Sequence, residues 1–319
     1  MKSVIAVSSL FAVGLLSACG QNFQSLGTAS ATSSQQSSSA AQSNSVSDKI
    51  LQDVATDLRQ KSLLSSSGLS ETQIQTLIQT ATAGLQSSGL ASATNLQTLL
   101  PGLVGQLTQS LGKLPLGHSN QQIADLLSTI EQSVIGSAGT LPSSLTKADL
   151  MSLISKSLFQ NLPAAGISTG NLSGVAGTVM NTLIAQLGQQ GLSQASLATL
   201  VQSLTSGATL GVGNLHAWNL TGTQIAGILQ QIGVGSTQGL STLPAAIANG
   251  DVLQTLINSV VNGATQGLNQ SSGVKAGLNV GQLLSSLIAG QATGLSNSGL
   301  SSAQQKPASL LLQLLLSRL

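Results

Sequence analysis

This sequence predicts an all-α protein of repeated amphipathic helices with Gly-rich connections, arranged as a helical bundle or an α-solenoid. Three observations carry that expectation. Apolar residues recur at i, i+3, i+4 and i+7, the spacing that lines one face of an α-helix. Hydroxyl and amide residues precede these runs in the order that caps a helix start. In the C-terminal half the pattern returns every 28 residues, and a fixed period of that size marks stacked units that cannot bury an apolar face alone. The competing arrangement is an α/β solenoid, in which a segment such as Thr209-Leu210-Gly211-Val212 forms a short strand after each helix. Helix starts are strongly marked and strand alternation is not, so the all-α reading is favoured.

Taken in order, the chain opens with one basic residue, Lys2, and a short apolar run from Val4 to Leu16. That run is too short to cross a bilayer, which takes roughly 20 residues. A charged start, a brief apolar stretch and small residues behind it mark an export signal. The next residues are Leu16-Ser17-Ala18-Cys19-Gly20, and Cys19 is the only cysteine of the chain. This segment resembles the lipobox of bacterial lipoproteins, a resemblance confined to residues 1–20. It implies removal of residues 1–18, a diacylglyceryl thioether on Cys19 and an acylated amine. Two or more acyl chains anchor stably where one is marginal. An acylated Cys19 leaves no thiol for disulfides, metal or catalysis. Gly20 is not the aspartate that holds enteric lipoproteins at the inner membrane, so the implied address is the bacterial cell envelope, at the outer membrane rather than the inner.

Residues 19–46 carry no charge between Gly20 and Val46 and are mainly Ser, Gln, Ala and Thr. Such a stretch buries too little to offset its ordering entropy and is expected to be a disordered tether, reaching about 30 Å on average. The helical body is expected over residues 47–190 and, continuous with it, over 191–319, where the 28-residue repeats lie.

The stripes run Leu51/Val54/Ala55/Leu58, Ile74/Leu77/Ile78/Ala81, Leu96/Leu99/Leu100/Leu103, Ile123/Leu126/Leu127/Ile130 and Leu150/Leu153/Ile154. They continue through Met180/Leu183/Ile184/Leu187, Leu197/Leu200/Val201/Leu204, Ile225/Ile228/Leu229/Ile232, Leu253/Leu256/Ile257/Val260 and Leu284/Leu287/Ile288, ending at Leu312/Leu315/Leu316/Leu319. Ser70 with Gln73, Ser119 with Gln122, and Thr221 with Gln224 are spaced as capping boxes. Leu69 with Ile74, Leu145 with Leu150, Leu192 with Leu197, and Leu220 with Ile225 are spaced as hydrophobic staples. Ala208-Thr209, Ser236-Thr237, Ala264-Thr265 and Ala292-Thr293 follow one another at 28 residues. Glycines recur beside them, and the local reading makes each unit a helix of about four turns closed by a glycine cap and return. The leucine-rich end, Ser309 to Leu319, is too short to span a membrane and is expected to be a terminal core helix.

Hydrophobic residues make up 41% of the 319 residues, charged residues 6% and aromatic residues 1%. The core must therefore be aliphatic and the surface solvated by Ser, Thr, Gln and Asn. Net charge is +2 and falls by one when Lys2 is removed, so there is no basic field for nucleic acid. Few charges of either sign also favour association.

Chemistry is sparse. No charged residue lies between Lys156 and Asp251, where His216 is the single titratable side chain able to act near neutrality. His216 and Trp218, the only tryptophan, form the candidate ligand-contacting pair, set against the plainer expectation of a packed turn. Gly166-Ile167-Ser168-Thr169-Gly170 matches the G-x-S-x-G nucleophile elbow in letters, but no His follows Asp251 and the flanks read as loop before helix. Lys49, Asp53, Asp57 and Lys61 stand four apart on the first helix, the usual spacing of a solvated charged face. His118 reads as a loop residue. Asn171, Asn219 and Asn269 head N-x-Ser/Thr triplets that carry little weight in a bacterial envelope. No metal cluster, phosphate loop or cofactor fingerprint is present, so no cofactor is expected and the chain does not read as an enzyme.

The expected function is that of a membrane-anchored envelope lipoprotein with a structural, adhesive or protein-interaction role. Its partners would be the bilayer, through acylated Cys19, and an envelope protein, a glycan or another copy of itself. The alternative is a carrier holding lipid or another apolar ligand in a cavity between helices.

Overall fold

The computed structural model describes residues 37–64, 68–93, 95–114, 119–141, 143–243 and 249–319. Among them the ordered elements are α-helices and short 3-10 turns, with no strand. The helices are α1 (Ser37–Leu64), α2 (Glu71–Ser87), α3 (Leu96–Gly112), α4 (Asn120–Gly139), α5 (Lys147–Gln160) and α6 (Leu172–Gly188). Then come α7 (Gln194–Gly213), α8 (Gly222–Ser241), α9 (Gly250–Gln270), the single turn α10 (Ser272–Lys275), α11 (Val280–Ser296) and α12 (Ser302–Leu316). Each of the eleven apolar stripes falls on one of the longer helices, except for Leu319 of the last, which lies beyond the end of α12. The α/β alternative is overturned, because Thr209–Val212 lies inside α7 and Thr209 and Val212 are fully buried there.

Helix starts follow the chemistry of the sequence. The three expected capping boxes form at Ser70, Ser119 and Thr221. A fourth closes at Thr146, where the Asp149 carboxylate takes the place of an amide. Hydrogen bonds from the hydroxyl and backbone N–H of Thr146 hold that carboxyl below its ordinary range. Ser193, Asn249 and Asn279 cap α7, α9 and α11, so the 28-residue period measures one helix with its connection.

From α3 onward the chain alternates between two rows of helices. One row runs α2, α3, α5, α7, α9, α12, and the other α1, α4, α6, α8, α11. Through the C-terminal part each helix packs chiefly on its neighbour within the row, about two periods away in sequence. Gly207 and Gly211 of α7 face the carbonyls of Ser152 and Lys156 on α5, and Gly263 and Gly267 of α9 face those of Gln202 and Ser206 on α7. In the second row Gly235 and Gly239 of α8 face Gly177 and Asn181 on α6, and Gly290 and Gly294 of α11 face Gln230 and Val234 on α8. The register advances by four on both helices of each of these four pairs, so the helices of each pair are parallel.

This corrects the expected role of the repeat glycines. They lie within helices of 17 to 21 residues, longer than four turns, and are not caps or returns. A methyl group at Gly207 would fall 2.1 Å from the Ser152 carbonyl oxygen. Only glycine lets two backbones come that close, as small residues do in tightly packed membrane helices. Glycine does end a helix at Gly89, just beyond α2, where φ is +70°. The buried hydroxyls beside the glycines are satisfied locally: Thr205, Ser236 and Thr237 each donate to the carbonyl four residues back.

Two boundaries differ from expectation. α1 begins at Ser37 instead of Ser47, because extending a nucleated helix costs far less than starting one. In α12 the packed face is Ala308, Leu311, Leu312 and Leu315, while Leu316 and Leu319 of the expected stripe are exposed. The signal, Cys19, residues 19–36 of the expected tether and His118 lie outside the described residues. No helix among the described residues is long and apolar enough to cross a membrane.

Candidate functional site

A broad groove lies between the two rows near the N-terminal end. Its volume is about 890 Å³, within the range of small-ligand sites. α1 supplies Asp57, Gln60 and Lys61, and α4 supplies Thr129, Gln132, Ser133 and Gly136. Residues 129, 132, 133 and 136 share one face of α4 by the 3.6 period, as 57, 60 and 61 do on α1. The α4–α5 connection adds Leu141 and Leu145, the start of α5 adds Lys147, Leu150 and Met151, and the end of α6 adds Leu183, Gln186 and Leu187. A smaller recess of about 280 Å³ continues the groove along α1 and α4 past Lys49, Asp53 and Ser137.

The evenly spaced charges of α1 thus divide their work. Ser137 Oγ donates to Asp53 Oδ2 at 2.7 Å, and Lys49 Nζ donates to Thr140 Oγ1 at 3.4 Å. These bonds clip α1 to the end of α4. Asp57 and Lys61, one and two turns further on, line the larger groove. Opposite them, Lys147 Nζ donates to Gln190 Oε1 at 2.6 Å. Beyond the groove, Arg59 on α1 makes a bidentate pair with Glu71 at the start of α2, closest at 2.8 Å. That guanidinium holds the Glu71 carboxyl below its ordinary value. The groove wall also contains two polar atoms that find no partner among the described residues, Ser133 Oγ and Gln186 Oε1. Unpaired buried polar atoms are uncommon in folded proteins. A rim of both charges, amides and a hydroxyl in the wall, and an aliphatic floor suit a ligand with a polar backbone and small apolar groups.

His216 and Trp218 are placed elsewhere. Both sit on the 3-10 turn Asn214–Trp218 after α7, held down by buried Leu215 and closed by Asn219 at φ +61°. His216 is exposed and Trp218 is 45% exposed, and neither lines the groove. Gly166–Gly170 is a loop between a 3-10 turn and α6. The Ser168 carbonyl there accepts from the N–H groups of Asn171 and Leu172 as an ordinary turn. The strand that a nucleophile elbow requires is replaced by helix-to-helix connection. No group of three or more metal-ligating side chains gathers among the described residues.

Sequence reasoning missed one buried acid. Glu131 on α4 is fully buried, accepts a hydrogen bond from Ser155 Oγ of α5, and leaves Oε2 without a partner among the described residues. Desolvation pushes its pKa up to about 8. The signal was present in the sequence, since 127, 131, 134 and 138 follow the helical period and put Glu131 among Leu127, Val134 and Ala138.

No protein-family model and no curated protein matches the chain.

Proposed function

We propose that this protein is a lipid-anchored bacterial envelope lipoprotein whose helical stack is a non-catalytic recognition body, with the α1–α4–α6 groove as its binding surface. The supporting observation is the clustering of charge. Charged residues are 6% of the chain, yet Lys49, Asp53, Asp57, Lys61 and Lys147 all border this one groove and its extension. The lipobox-like segment ending at Cys19 supports the anchor. The partner that fits is an extended segment of another envelope component: its backbone amides would meet Gln132, Ser133 and Gln186, and its small apolar groups the aliphatic floor. The carrier reading is less favoured, because the groove is open and mixed in lining, where a lipid carrier presents an enclosed apolar cavity.

Two measurements test the proposal. Labelled palmitate should enter the protein in a bacterial host and fail to enter Cys19→Ser; equal labelling, or none in either, removes the anchor. A photoreactive side chain at Gln132 should give a discrete envelope adduct that is lost in Lys61→Glu/Lys147→Glu, while the same probe at Gln266 on α9 gives none. Equal adducts at both positions, or bound lipid in native mass spectrometry of the Cys19→Ser protein, would replace the recognition reading.

A further inference from the structure

Between α1 and α4 the polar contacts form a ladder with one rung unmade. Lys49 Nζ donates to Thr140 Oγ1, and Ser137 Oγ donates to Asp53 Oδ2. Four residues forward on α1 thus answer to three back on α4, about one turn on each helix, so the two run antiparallel. The next rung sets Asp57 opposite Ser133, and it does not close. Asp57 makes no hydrogen bond or ion pair among the described residues. Ser133 Oγ has no partner there either, although Ser133 is only 5% exposed. Both side chains line the groove and its smaller extension. Beside them Gly136 is exposed, and a methyl group there would meet nothing within 4 Å. The repeat glycines are covered by a neighbouring helix; this one faces the groove. A carboxylate and a buried hydroxyl, one turn beyond a matching pair that does bond, therefore look onto the same open space.

Resting on the reading of this groove as a recognition surface, we propose that the Asp57–Ser133 rung is a subsite for a primary ammonium, and that the bound segment is a zwitterionic peptide whose carboxylate lies toward Lys61 and Lys147. An ionised carboxylate can only accept. An ammonium is a compact cation with three donors, enough to bond Asp57 and Ser133 Oγ together. A backbone N–H has one donor and leaves the charge of Asp57 unmatched, while a guanidinium spends its planar fork on the carboxylate. Gly136 leaves room for the methylenes that carry the ammonium. The far end of the ligand follows from the remaining charges. Lys61 stands one turn beyond Asp57 on α1, with Cβ atoms about 5–6 Å away at that spacing, and Lys147 lines the same groove from α5. A ligand with only positive charge would meet two lysines, and one with only negative charge would meet Asp57. A segment carrying one of each answers both, and its backbone is left to Gln132 and Gln186.

The test uses the Cys19→Ser protein and titration calorimetry with defined peptides. Acetyl-Ala-Lys-Ala with a free C-terminal carboxylate should bind about tenfold more tightly than the same peptide acetylated on its lysine amine, as expected for a hydrogen-bonded charge. That preference should vanish in Asp57→Asn and shrink in Ser133→Ala. It should persist in Asp53→Asn, which breaks the rung that is already closed. Gly136→Leu, which favours the helix and fills the space beside the rung, should also abolish it, with unchanged circular dichroism. Ala-Ala-Ala with both ends free, if bound more tightly still and through Asp57, would keep the subsite and place a chain N-terminus in it. Equal binding of the free and acetylated amines, or a preference that survives Asp57→Asn, overturns the ammonium subsite. So does failure of every peptide to bind while the probe at Gln132 still gives its adduct, and the groove then remains a recognition surface. Loss of both peptide binding and adduct removes that reading as well.

Discussion

Replacing Gly235 with alanine should destabilise the protein by about 1–3 kcal/mol, the range of overpacking a close-packed interior, while the same change at Gly227 should stabilise it. Both glycines lie in α8, and the local argument is identical for both. Alanine in a helix interior is favoured over glycine by about 0.8–1.0 kcal/mol. What differs is the neighbour. A methyl group at Gly227 meets nothing within 4 Å, but at Gly235 it would fall 1.9 Å from the carbonyl oxygen of Gly177 on α6. That atom is backbone and cannot rotate aside, so the two helices would have to part. The neighbouring contact of Gly239 with Asn181 would open with it. Urea melts of the two variants should move in opposite directions from the parent. A shift of the same sign in both would mean that the rows are not held at glycine contact distance.

That experiment also separates what the sequence makes legible from what it hides. A helix start is local: Ser119 and Gln122 meet because they are three residues apart, and a reader with the chain alone can pair them. A glycine's use is not local. Gly207, Gly211 and their counterparts invite the commonest explanation, a helix cap, because the carbonyls they face lie 55 or more residues away along the chain. The period of 28 was visible; that two periods return the chain to the same row was not. The groove is hidden for the same reason. Asp57 and Lys61 looked like one side of a solvated helix until α5 brought Lys147 to the other wall. Glu131 is different, for its place in the apolar arc of α4 could be read from the helical period. The stripe of α12 reads with the right period but one turn too late: Leu312 and Leu315 pack on the core, and the face extends back to Ala308 and Leu311, where nothing in the sequence marks which turns α9 and α11 cover.

Glu131→Gln should raise stability at pH 8 by several kcal/mol and leave it nearly unchanged at pH 4.5. Burial lifts the folded-state pKa of Glu131 to about 8 from an ordinary 4.5. Between those values the folded protein keeps a proton that the unfolded chain has released. Stability then falls as pH rises, by about 1.4 kcal/mol per unit for one proton. The contribution of the protonated acid is complete below about pH 4.5 and is lost as the pH passes the folded-state value near 8. Glutamine has the same shape, can still accept the bond from Ser155 Oγ, and has no proton to lose, so its stability should not change with pH through this window. Urea midpoints at pH 5, 6.5 and 8 would show the parent declining and the variant level; a parent level across that range would refute burial of an unpaired acid between α4 and α5. Glu131 and Ser133 stand on opposite sides of α4, two residues or about 200° apart, so the helix that carries the acid also forms the groove wall. Deprotonation would draw water toward Glu131 and loosen α4 from α5, both of which line the groove. Binding in the groove should therefore weaken in the parent at alkaline pH and persist in Glu131→Gln.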